Sequence, residues 1–288
     1  MDTPSGTEIS LVPKPYNPKN GLTNGIVTRV NNNRFVFSLQ NGHTHERQKR
    51  TNVYMAQRKF FSEYNIFDVT DTPDVDGSGS FSNEPFLSST DDRHVGKICR
   101  IRSPSSYVGY RLFNGRGDKK HQVQSVLYQI PKTFDWLKGK TFRQCHVIFS
   151  TEESFANDAG GMGATAPNEN ASTKDKNHLK EAVKTVLTKA KKIEDIGNPA
   201  RGIHVTSTKL PKYNPTTGTF TTNFAGRCQQ SSQKNMQLSA DAFYCNGNEN
   251  QEVNLQIACW TTNEYSVDFT APISPFQAFG FALAQFDL

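Results

Sequence analysis

Beyond Lys234 the chain has no lysine or arginine, and it closes with an apolar run, residues 276–286, that some other surface must cover. Acids continue to that end: Asp241, Glu249, Glu252, Glu264, Asp268 and Asp287. The net charge of +6 therefore divides into +12 on residues 1–234 and −6 on the rest. A cationic body suits a polyanionic partner. The anionic, aromatic finish suits either the core of its own fold or the basic body of a second copy, in a head-to-tail contact.

With 20 Phe and 9 Tyr against a charged fraction of 21%, the chain can bury a core and is no disordered polyelectrolyte. Leucine and alanine are scarce, while Thr, Val, Phe and Tyr favour strands. The expected fold is mainly β, a jelly-roll-like or barrel-containing antiparallel architecture. Its one amphipathic helix falls at about 176–196, where Leu179, Val183, Val186, Leu187, Ala190 and Ile193 recur at three- and four-residue spacing.

Residues 1–20, rich in Pro, Ser and Thr, read as an extended arm. A β-rich region spans 21–153, a flexible loop 154–176, and the helix with a β-rich acidic region fills 177–288. Strands are expected at 25–39 (two, around Asn31-Asn32-Asn33), 96–102, 107–113, 123–130, 143–150, 202–208, 219–224, 235–244, 252–260 and 266–270. Residues 54–64 read as a short helix. No secretory signal or membrane-length apolar run is expected. Five cysteines without a CxxC pair read as reduced thiols, which fits an intracellular setting such as the nucleus or a virion.

The densest cationic run is His45-Glu46-Arg47-Gln48-Lys49-Arg50, with Arg58 and Lys59 behind it, and it follows a strand carrying Phe35 and Phe37. Single-stranded nucleic-acid binders need cations along the phosphate path and aromatic faces for the bases. Phe35, Phe37, Arg47, Lys49, Arg50, Arg58 and Lys59 therefore form a candidate nucleic-acid surface. The alternative puts both Phe rings in the core and the cations in a solvated loop. Arg100 and Arg102 alternate with Cys99 and Ile101, share one strand face, and join the candidates, with Arg111 as an extension. Spread cations of this kind suit sequence-independent phosphate contact. Phe276, Phe279, Phe281 and Phe286 are the candidate self-association residues if the end docks on another copy.

No catalytic, metal or cofactor set is expected. Asp74–Phe81 imitates a calcium loop, but Pro85 occupies the twelfth place, where a bidentate glutamate is needed. His43 and His45 have no Cys or carboxylate at ligand spacing. Cys145 and His146, as strand neighbours, point to opposite faces and cannot act as nucleophile and base.

Residues 24–43, with Gly25-Ile26-Val27, Phe35-Val36-Phe37-Ser38-Leu39 and Asn41-Gly42-His43, resemble the opening hairpin of OB-fold proteins such as bacterial translation initiation factor one. That resemblance implies a cooperative single-stranded nucleic-acid-binding protein. The Pro-rich arm, the Asn/Thr/Ser/Phe-rich strands and the absence of catalytic motifs together resemble viral coat subunits. The leading expectation is a non-enzymatic, self-assembling coat or capsid-type subunit that contacts nucleic acid, forms homo-oligomers and needs no membrane. The OB-type binder and a motif-less enzyme stand as alternatives.

Overall fold

The computed structural model describes residues 22–40, 50–60, 62–70, 87–101, 107–115, 120–129, 143–151, 183, 202–216, 219–240 and 252–288. The first half of the strands are β1 (Thr23–Asn31), β2 (Arg34–Gln40), β3 (Arg50–Phe60), β4 (Glu63–Asp68), β5 (His94–Ile101), β6 (Tyr107–Asn114) and β7 (His121–Gln129). The remainder are β8 (Gln144–Ser150), β9 (Ile203–Thr208), β10 (Lys212–Asn214), β11 (Thr219–Thr221), β12 (Met236–Ser239), β13 (Leu255–Cys259) and β14 (Glu264–Phe269), followed by helix α1 (Pro275–Phe286). Twelve strands close an antiparallel barrel in the order β1-β14-β13-β12-β9-β8-β7-β6-β5-β4-β3-β2, and β10 pairs separately with β11. Closure is the pairing of β1 with β14, from Thr23 opposite Phe269 to Thr28 opposite Glu264.

The mainly-β barrel is the architecture the composition implies, and it holds a helix that the sequence reading did not place. The expected helix at 176–196 lies outside the described residues except for Val183, which is helical and fully buried. Residues 54–60 belong to strand β3 and residues 63–64 open β4. Tyr54 and Ala56 face the barrel interior and Met55 the outside, a period of two that overrides the helical look of the segment. The apolar run at the end, by contrast, is α1. It is apolar on every side, so it shows no amphipathic stripe, and that is the pattern of a helix buried all round. Its start is nonetheless written in sequence. The Ser274 hydroxyl accepts from the Gln277 amide N–H at 3.2 Å, the Gln277 side chain accepts from the Ser274 N–H at 3.0 Å, and Pro275 occupies the first turn.

Helix α1 lies inside the barrel. An eight-stranded barrel can be filled by its own side chains, whereas twelve strands enclose a wider lumen. A helix with its side chains, about 10–12 Å across, fills that space. Phe279, Phe281, Ala282 and Leu283 have no exposed surface. Phe37 stacks on Phe279 with ring centroids 5.5 Å apart, Phe35 on Phe286 at 4.9 Å, and Tyr54 meets Phe276 edge-on at 5.6 Å. Each fully buried Phe contributes roughly 2–3 kcal/mol of transfer free energy.

Polar contacts fix both ends of the helix. At its start Gln277 Nε2 donates to the carbonyls of Ser150 (2.8 Å) and Val123 (3.2 Å) on β8 and β7. At its end the buried Asp287 carboxylate accepts from Arg58, from the Tyr64 hydroxyl at 3.2 Å and from the Tyr110 hydroxyl at 3.0 Å, on β3, β4 and β6. Gly280 permits the closest approach to the wall. A Cβ there would sit 2.6 Å from Leu112 Cδ2 and 2.9 Å from Gln124 Oε1.

The outer side of the wall carries its own polar pairs. Cys145 belongs to the interior cluster, while His146 faces outward and its Nδ1 lies 2.8 Å from the Ser207 hydroxyl. The two neighbours are thus on opposite faces of the wall. Burial pulls the His146 imidazole down to about 4. In the same way, residues 222–235 run over the outer face, where Arg227 grips the buried Asp268 through two hydrogen bonds of 2.6 and 2.9 Å.

These contacts give two expectations. Gly280→Ala would gain about 1 kcal/mol of helix propensity. Crowding Leu112 and Gln124 costs about 1–3 kcal/mol, so the variant is expected to melt below the wild type; a melting temperature at or above the parent's would contradict the close approach. For His146 the folded state binds its proton less readily than the unfolded chain. Stability is therefore full above about pH 6.5 and falls as pH drops toward 4, by up to roughly 3 kcal/mol. The fall in melting temperature between pH 7.5 and pH 5 should shrink in His146→Gln, and an unchanged fall would count against burial as the cause.

Candidate anion-binding site

The sequence candidates disperse once the barrel is closed. Phe35 and Phe37 are 3% and 0% exposed and stack on α1, so neither offers a face to a base. The four candidate self-association rings, Phe276, Phe279, Phe281 and Phe286, pack on the inner side of the same wall. The two aromatic sets assigned to different partners are in fact each other's partners. That removes the basis for a head-to-tail contact through the aromatic end.

The cations divide as well. Arg50 pairs with Glu264 at 2.9 Å, both side chains 8% exposed. Arg58 turns inward to Asp287. Lys59 is exposed near the end of β3. Arg100 lies opposite Tyr110 in the β5–β6 ladder, which places it on the inward side of the wall at the barrel rim. Arg47, Lys49 and Arg102 lie outside the described residues. Arg111, the expected extension of the Arg100 surface, opposes Cys99 and so lies on the other face of the wall.

What the register does bring together is an outward cluster on β4, β5 and β6. Asn65 lies opposite Lys97, and Lys97 opposite Phe113, two positions from Arg111. Same-face residues on a diagonal of this kind are about 7–8 Å apart. Lys97 Nζ reaches Glu63 Oε1 at 3.4 Å. Buried Arg111 Nε has no hydrogen-bond partner among the described residues. Between the two cations sits the free Cys99 thiol, which burial pushes up while Lys97 pulls it down. A guanidinium with an unfilled donor beside an ammonium is suited to a phosphate, and Glu63 tempers the charge until one arrives.

The cluster is compact because its flanks are occupied. On one side Val36, Met55, Phe67, Val69 and Leu87 form a buried apolar cluster over β2–β4; on the other, Leu127, Ile148, Val183 and Ile203 form one over β7–β9. Sequence reading missed Lys97 because a lone lysine among Gly96, Ile98 and Cys99 stands out only when β6 is laid beside it. The alternation of Lys97 with Cys99 was the available signal.

No helix among the described residues is long and apolar enough to cross a membrane, and none of their His, Cys, Asp or Glu side chains cluster as metal ligands. The sequence profile of the Tub family matches residues 27–288. The chain is 32% identical over 84 residues to Tubby protein homolog 1 of Caenorhabditis briggsae, a stretch that is 29% of this chain and 18% of that protein. It is 34% identical over 79 residues to Protein king tubby of Anopheles gambiae, 27% of this chain and 16% of that one. The matched stretches thus cover less than a fifth of either relative. The family match overturns the expectation of a viral coat or capsid-type subunit, and the virion setting falls with it. It also replaces the OB-type binder. The described part of that segment, residues 24–40, forms β1 and β2 of a twelve-stranded barrel with a helical core.

Proposed function

This chain belongs to the Tub family, and from that premise we propose that it is a non-enzymatic module that docks the phosphorylated headgroup of an inositol lipid on the outer face of β4–β6. Phosphoinositide and DNA binding are both associated with the family in general, and both ligands present phosphate esters. The observation that favours the lipid is the compactness of the Lys97–Arg111 pair, set between two buried apolar clusters that leave no room for a longer cationic track. A ring bearing two phosphates matches two cations on neighbouring strands. Duplex DNA needs a longer cationic track to neutralise several phosphates at once.

In this reading Arg111 supplies the directional contact through its fork, Lys97 a mobile point charge, and Asn65 an uncharged polar group beside them. Glu63 competes for Lys97 and sets a threshold that favours multiply charged headgroups over single ones. Among the described residues Cys99, Cys145, Cys228 and Cys259 are free thiols, which fits a reducing setting inside the cell, so the lipid surface would be a cytoplasmic or nuclear one.

Sedimentation with vesicles containing phosphatidylinositol bisphosphate, beside vesicles of equal charge made with phosphatidylserine, tests this. Each cation near an anionic surface is worth about 1 kcal/mol, so Lys97→Ala with Arg111→Ala should weaken binding roughly thirtyfold. Glu63→Gln should strengthen it. Undiminished binding by the double variant, equal binding to phosphatidylserine, or preference for a short DNA duplex would each sink the reading.

A further inference from the structure

At the barrel mouth, near the end of α1, a crevice of about 1120 Å³ opens between the rim and residues 222–237. Its walls come from the end of β7 (Tyr128), the residue before β8 (Arg143), the residue after β9 (Lys209) and the crossing segment. That segment is held firmly, by the Arg227–Asp268 pair and by Gln237 Nε2 donating to the Asn223 carbonyl at 2.9 Å. The crevice is preformed, and its size lies just above the range usual for small-molecule sites, about 300–1,000 Å³.

Its chemistry is asymmetric. Arg143 and Lys209 line it, and no aspartate or glutamate does among the described residues. Lys234 sits beside them, its Nζ donating to the Leu288 carbonyl at 2.9 Å. Burial and the Arg143 charge together pull that amine down. Deeper in, the Tyr128 hydroxyl is buried with no hydrogen bond to oxygen or nitrogen. Its polar neighbour is the Cys145 thiol, a weak partner. Burial raises the phenol well above its ordinary range, so it stays protonated and available as a donor. Val108, Phe224 and Met236 make the rest of the lining apolar.

We infer that this crevice binds a small organic anion, a phosphate or carboxylate head on an apolar body. The head lies between Arg143 and Lys209, accepts the Tyr128 hydroxyl, and directs its body along Val108, Phe224 and Met236. A buried hydroxyl whose partner is a thiol is only weakly satisfied, and an acceptor oxygen on the ligand satisfies it better. The site shares no residue with the Lys97–Arg111 face, so either can fail while the other stands.

Titration calorimetry of the full chain with octyl phosphate, octanol and inorganic phosphate tests the inference. Saturable binding of octyl phosphate is expected, with octanol and inorganic phosphate each at least about tenfold weaker. Tyr128→Phe should lose about tenfold in affinity, while its ligand-free melting temperature holds or rises because a weakly satisfied buried group is gone. Arg143→Ala with Lys209→Ala should lose more. The inference is overturned if octyl phosphate does not saturate or octanol or inorganic phosphate binds as tightly. It is equally overturned if the variants bind like the parent, or if Tyr128→Phe melts lower, which would show the hydroxyl already satisfied.

Discussion

A closed wall of twelve strands has an interior that its own side chains cannot fill, and the packing of α1 against that wall is what lets the barrel exist. The helix cannot stand alone either. Twelve residues in water make a marginal helix at best, and this one carries no charged residue from Pro275 to Phe286 that would solvate it. Wall and plug are thus mutually dependent. The stacked pairs Phe37–Phe279 and Phe35–Phe286 mark where the dependence is strongest, because strand and helix each bury an aromatic ring on the other.

That dependence explains which parts of the structure could be read in advance. A strand with one wet face announces itself by alternation, as β5 does, whereas β7 and β8 are buried on both faces and were legible as short runs rich in strand formers. Helix α1 was not, since burial on all sides erases periodicity, and its one local signal, the Ser274-Pro275-Phe276-Gln277 start, went unread. Phe35 and Phe37 were ambiguous for a related cause. In a barrel the inward face of a strand looks, in sequence, just like an exposed aromatic platform, and only closure decides between them. Arg58 was ambiguous too, because the carboxylate it serves, Asp287, is more than two hundred positions away.

The candidate site was even less legible, as sheet register and not sequence proximity assembles it. Lys97 and Arg111 are contributed by different strands, and their shared face follows from the pairing of Cys99 with Arg111. The dense cationic run that drew the eye contributes, among the described residues, Arg50, committed to Glu264. Basic residues in this chain thus serve two physical roles. Those with partners at the barrel rim or under the crossing segment, Arg50, Arg58 and Arg227, hold the fold through charge pairs whose removal would strand a buried carboxylate. Those on the outer face, Lys97 and Arg111, are the ones the proposed function assigns to a ligand. Local density of charge is a poor guide to which role a cation takes.

Hydrogen–deuterium exchange of the backbone amides in residues 278–286 tests the central dependence most directly, since an amide inside the core opens only when the whole barrel does. The account requires these amides to be among the slowest in the chain and to exchange at the rate of those in β2, β7 and β13, with the same response to denaturant. Rapid exchange of the helix while the strands stay protected would mean the barrel stands without its plug, and the account would be wrong.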